Sequence, residues 1–102
     1  MLSTAYRLPL GKVKQVAQEH LVGDKIQPGH PLFGIVWINP ARVSGAPCFY
    51  ASRVPIKTLF DYVAGGETLE QFLEDFEGID RDQAVAVLDL ASRDLLSDLE
   101  SL

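Results

Sequence analysis

The stretch PIKTLFDYVAGGETLEQFLEDFEGIDRDQAVAVLDLA, residues 55–91, decides how this chain folds. Ile56, Leu59, Phe60 and Val63 fall at i, i+3, i+4 and i+7, a spacing that puts four apolar side chains on one helical face. Pro55 suits the first helical position, where its missing N–H costs nothing. Gly65-Gly66 stops the helix, because glycine accepts the left-handed conformation without a Cβ clash. Leu69, Phe72, Leu73 and Phe76 repeat the spacing, with Thr68 and Gln71 placed as a capping box. Asp80 and Gln83 repeat that box ahead of a third helix, whose Ala84, Val87, Leu88 and Ala91 face inward. The link Glu77-Gly78-Ile79 is a short glycine turn of the kind that joins a helix-turn-helix pair. The pattern predicts a mainly α fold, a three-helix, helix-turn-helix-like bundle from residue 55 to about residue 97.

Upstream the signals change from period 3.6 to short β-branched and aromatic runs. Ile35-Val36-Trp37-Ile38 ends at the turn signal Asn39-Pro40, and Cys48-Phe49-Tyr50 follows Gly45-Ala46-Pro47. These read as a short antiparallel ribbon with a loop too long for a tight hairpin. Residues 27–31, Gln-Pro-Gly-His-Pro, are a linker by composition, and Leu10, Val13, Ala17 and Leu21 are spaced for a short amphipathic helix. The expected organisation is an N-terminal segment of undetermined role at residues 1–34, then a ribbon and three-helix unit at residues 35–102, as one globular whole.

A chain of 102 residues with 47 % apolar content can bury one core. One cysteine, Cys48, excludes an internal disulfide framework, and no run approaches the roughly 20 apolar residues of a membrane span. A cytoplasmic protein without a membrane role is expected. The net charge of −5 hides an asymmetry: residues 1–54 carry six cations against two carboxylates, residues 55–102 three against twelve. That acidic half is a solvated face, or a surface for a partner of opposite sign, or one that meets the basic half of a second copy.

No catalytic set converges, so no enzyme activity is expected. His20, His30 and Cys48 match no zinc spacing and read as two surface histidines and a half-buried thiol. Glu70 and Glu74 lie opposite the apolar face of their helix and should be hydrated, without the burial or crowding that acid/base work needs. Gly65-Gly66 follows a helix instead of opening one, so it cradles no phosphate. No metal, cofactor or small-molecule ligand is predicted.

Two surfaces remain. In a helix-turn-helix the second helix enters the major groove by its N-terminal residues. Here that helix opens Asp80-Arg81-Asp82-Gln83, and Arg81 and Gln83 are candidate readers of guanine and adenine edges. Two aspartates flank the arginine, and with three cations beyond residue 54 the salt slope of DNA binding would be about −3 at most. The second surface is the tail. Leu95, Leu96, Leu99 and Leu102 extend the apolar stripe past what a three-helix core covers, which marks a partner or dimer interface, or a fold-back onto the N-terminal segment.

From Ile38 to Ala91 the chain resembles a family of small bacterial proteins, domain of unknown function 433. Asn39-Pro40, Gly45-x-Pro47, Arg53-Val54-Pro55, Leu59-Phe60-Asp61-Tyr62, Ala64-Gly65-Gly66 and the run Leu69 to Phe76 carry the likeness in order. The resemblance implies a homeodomain-like helical fold and an antitoxin of Vap-like type encoded beside a PIN-like nuclease toxin, or a transcriptional autoregulator. It carries over no catalytic residue. Arg53, at a matched position just before the first helix, is the third candidate nucleic-acid contact, or else a salt bridge to a carboxylate such as Asp75. The chain departs from the family at Ala46, at Tyr50-Ala51-Ser52 and at Glu77, which leaves two usually basic positions neutral. The expectation is a homodimer that binds a nuclease toxin, with DNA binding as the alternative.

Overall fold

The computed structural model describes residues 15–102. Two short strands, β1 (Val36–Trp37) and β2 (Cys48–Phe49), precede three helices, α1 (Ile56–Ala64), α2 (Leu69–Asp75) and α3 (Arg81–Glu100). The strands pair antiparallel, with Val36 opposite Phe49 and Trp37 opposite Cys48. Among the described residues the protein is thus mainly helical with an antiparallel ribbon ahead of the helices. Each strand is two residues long, shorter than the apolar run that carries it, and the Tyr50 N–H extends the pairing to Ile35 O at 2.9 Å.

Local chemistry sets the helix ends. Pro55 is the N-cap of α1, one position before the first helical residue, with an extended ψ of 145°. Ile56 donates its N–H to Pro47 O at 2.9 Å, which closes α1 onto β2. Gly65 ends α1, and the left-handed residue is Gly66, at φ +90°. Thr68 caps α2 by accepting the Gln71 N–H at 3.0 Å, but Gln71 does not complete the box. Its amide reaches forward to Asp75 at 2.9 Å instead. At α3 Gln83 Oε1 accepts the Asp80 N–H at 3.0 Å, and the helix runs on to Glu100, past the predicted end.

The core gathers Ile35, Val36 and Phe49 from the ribbon, Leu59 from α1, Phe72 from α2, Ile79 from the turn, and Ala84 and Val87 from α3. The stripe of α1 divides. Leu59 is fully buried, whereas Phe60 is 36 % and Val63 48 % exposed. The spacing put these four side chains on one face, but a short helix packed on one side covers only part of a stripe this wide. Tyr62 ties α1 to α2 by donating to Asp75 at 2.7 Å, which raises the Tyr62 phenol above its ordinary pKa. That contribution is present at all pH below the ordinary tyrosine value and lost as pH rises through the raised one.

The segment ahead of the ribbon is wrapped onto it. Leu10 and Val13 of the expected N-terminal helix lie outside the described residues. Its remainder, with Leu21, forms only the 3-10 turn Gln18–Leu21, which has no fully buried side chain. Beyond it Asp24 and Ile26 are buried, and the Lys25 N–H bonds Ile38 O at 2.8 Å. Asp24 Oδ1 accepts the N–H groups of Ile26 at 3.1 Å and Ile38 at 2.9 Å. Its Oδ2 takes the Arg42 guanidinium at 2.6 Å, and that guanidinium lies 3.9 Å over the Trp37 ring. His20 is no plain surface histidine: it packs edge-on against Trp37 and Tyr50, with Nδ1 2.8 Å from the Tyr50 hydroxyl.

Candidate protein interface

Beyond Ala91 the last helix leaves the body, and every residue from Ser92 to Leu102 is exposed. Leu95, Leu96 and Leu99 are more than half exposed, and Leu102 is 98 % exposed. Nothing among the described residues covers them. Asp94, Asp98 and Glu100 interleave with the leucines, so the tail presents apolar and acidic character together. A leucine row in water is an unfavourable surface for a monomer, since each such side chain gains about 1.5–3 kcal/mol when fully buried. The interleaved carboxylates are exposed too and hydrate the row.

The row runs into a groove. Ile38 and Pro47 from the ribbon region and Ile56 and Phe60 from α1 form one wall, and Leu90 and Ala91 of α3 the other. Its volume is about 290 Å³, and Asp94 is its single charged lining residue. Small-ligand pockets hold roughly 300–1,000 Å³ and orient their ligand with several convergent polar groups. This groove has the size of the smallest of them without the polar groups, which suits apolar side chains. The sequence pattern missed it, because its walls come from four separate segments. Phe60 was the one available signal, a large apolar residue left on the outer edge of its helix.

The candidate nucleic-acid contacts are scattered. Gln83 is wholly buried, its amide shared between the Asp80 N–H and Ile35 O, the latter at 3.3 Å. It has no free edge for a base in this conformation. Arg81 is held by the Glu70 carboxylate of α2, and this hydrogen bond keeps Glu70 below its ordinary pKa. The pair therefore persists through neutral pH and weakens as pH falls through that lowered value. Both partners are well exposed, so the bond is a weak one. Arg53 is exposed and joins no ion pair among the described residues. The salt bridge expected between it and Asp75 is absent, because Asp75 is taken by Tyr62 and Gln71.

Cys48 is fully buried rather than half-buried, and burial pushes its thiol above the ordinary value. It is an apolar core member, not a nucleophile. No group of three histidine, cysteine or carboxylate side chains among the described residues is placed to hold a metal ion. No helix among them is long and apolar enough to cross a membrane.

The family model described as "Protein of unknown function (DUF433)" matches residues 36–91. The match begins at β1 and ends at Ala91, so the exposed leucine tail lies beyond it. No curated protein and no solved structure matches the chain.

Proposed function

The chain belongs to the DUF433 family, and from that premise we propose that it is a non-enzymatic, antitoxin-like cytoplasmic protein that binds and neutralises a PIN-like nuclease toxin. The observation that carries this reading is the tail, where four exposed leucines alternate with Asp94, Asp98 and Glu100. A nuclease presents cations where it holds nucleic acid. An acidic face with apolar anchors meets such a surface by charge and holds it by burial, and the charge mainly speeds association and sharpens partner choice. The protein is a homodimer in this reading, with Leu95, Leu96, Leu99 and Leu102 at the interface. Pull-down with the product of the adjacent gene tests the toxin. A nuclease retained on the tagged protein is the expected result, and a neighbour that is no nuclease and forms no complex overturns the proposal.

The dimer is tested separately. Leu95→Glu with Leu99→Glu is expected to halve the mass measured by size exclusion with light scattering. Both residues are exposed in the single chain, so helical content stays close to the parent's, while the melting temperature falls and loses the concentration dependence that a dimer confers. An unchanged mass removes the tail from the interface.

A second reading, a DNA-binding autoregulator of helix-turn-helix type, rests on the α2–turn–α3 shape and on Arg81. A gel shift with the protein's own promoter at low salt distinguishes it. Arg81→Ala should then weaken the shift; a shift that persists unchanged removes α3 as the reader. The buried Gln83 and the Glu70 carboxylate on Arg81 both weigh against it.

A further inference from the structure

We infer that the groove between the ribbon, α1 and α3 is the seat for the leucine tail of a second copy, so that two α3 helices cross antiparallel and exchange tails. This rests on the homodimer in the reading above and specifies its geometry. Groove and tail lie end to end on one helix: Leu90, Ala91 and Asp94 line the groove, and Leu95 begins the exposed row. Each copy thus carries one apolar seat and one apolar donor. A two-fold axis fills both seats at once and leaves neither patch over, which is how an isologous interface closes.

The register follows from spacing. If Leu99 of one copy sits at the level of Ala91 of the other, Leu95 lies at the two-fold axis against its own counterpart. Ala91 leaves the dip that a leucine needs. Leu88, Leu95 and Leu102 recur every seven residues with Leu99 four after Leu95, so the two stripes can interlock as knobs and holes.

Charge chooses the direction. A parallel pair would set Asp94, Asp98 and Glu100 beside their own copies. In the antiparallel pair Asp94 stays near its counterpart at the axis, but Asp98 and Glu100 part from theirs and are carried toward the partner's α1 start. There the exposed Arg53 and Lys57 flank Ile56 of the groove wall. Arg53 has no carboxylate of its own chain among the described residues, and Lys57 has only the exposed Asp61 at 2.8 Å. Opposite charges at these close approaches favour the antiparallel register, with a sensitivity to salt.

Paired cysteines test the seat in the full chain. Chains carrying Phe60→Cys and chains carrying Leu99→Cys, with different tags, are mixed and gently oxidised. Both positions are exposed, and the native Cys48 is buried and does not compete. The expected result is a disulfide between the two tags, seen as a shift from one-chain to two-chain mass on a non-reducing gel. A dimer by light scattering that joins Leu99→Cys only to itself overturns the seat and leaves the homodimer standing. A monomer by light scattering with no cross-link overturns both. An internal disulfide between Phe60→Cys and Leu8→Cys of one chain, formed in preference to the cross-link, gives the groove to residues 1–14 and overturns the exchange. A Phe60→Cys cross-link to a co-expressed nuclease instead gives it to the toxin and overturns it equally.

Discussion

Asp24→Ala is expected to lower the unfolding free energy by about 3–5 kcal/mol, because it strands two backbone donors and removes the counter-charge of the part-exposed Arg42. The Asp24 side chain is 2 % exposed and satisfies three donors at once: Arg42, and the N–H groups of Ile26 and Ile38. Alanine leaves the guanidinium lying on Trp37 with no counter-charge and two backbone donors without acceptors. Each stranded donor alone costs about 1–3 kcal/mol. Urea unfolding followed by far-ultraviolet circular dichroism reads the loss as a lower midpoint. Asp24→Asn keeps the shape and one acceptor, so it should cost less, about 1.5–3 kcal/mol for a hydrogen bond to a charged group. A loss below about 1 kcal/mol for the alanine variant would mean that the segment before the ribbon is not tied down through this carboxylate.

Phe72→Ala is expected to cost about 3–5 kcal/mol, the range for a buried phenylalanine replaced by alanine. Phe72 has no exposed surface, and its ring centroid lies 5.8 Å from Phe49, 5.4 Å from Tyr62 and 5.1 Å from Phe76. It therefore joins the ribbon, α1 and the end of α2 through one side chain. Each aromatic pair adds about 0.5–1.5 kcal/mol beyond the area it buries, so the upper half of the range is the expectation. Guanidinium unfolding gives the number. A cost below about 2 kcal/mol would show that the three elements hold together without this ring.

The elements that could be read from the residues were those with local causes. Leu69, Phe72, Leu73 and Phe76 lie within two turns of one another, so their common face needs nothing from the rest of the chain. Thr68 and Asp80 stop the preceding backbone and begin a helix by bonds to residues three positions away. Gly66 and Gly78 take left-handed φ values of +90° and +95° that other residues resist, which places the turns. The family resemblance agrees with the matched residues 36–91 for the same reason: it rests on these local signals in order.

What the pattern misjudged depended on residues far apart. Asp24 and Arg42 are separated by 18 positions; Asp24 lies in a stretch the pattern assigned to no element, and Arg42 in the loop between the strands. Nothing in spacing reveals that folding lays one across the other. Gln83 read equally well as a helix cap and as a base contact, and only the approach of Ile35, 48 residues away, made it a buried cap.

For the candidate interface the division is the same. The leucine spacing at 95, 99 and 102 and the acidic balance of residues 55–102 were evident from the chain alone, because composition and helical period are local properties. That α3 carries its leucines clear of the body, that Phe60 stands at its edge, and that a groove opens beside Ala91 were decided by tertiary packing. An apolar side chain states only that it gains by leaving water; which neighbour receives it depends on where every other element has come to rest.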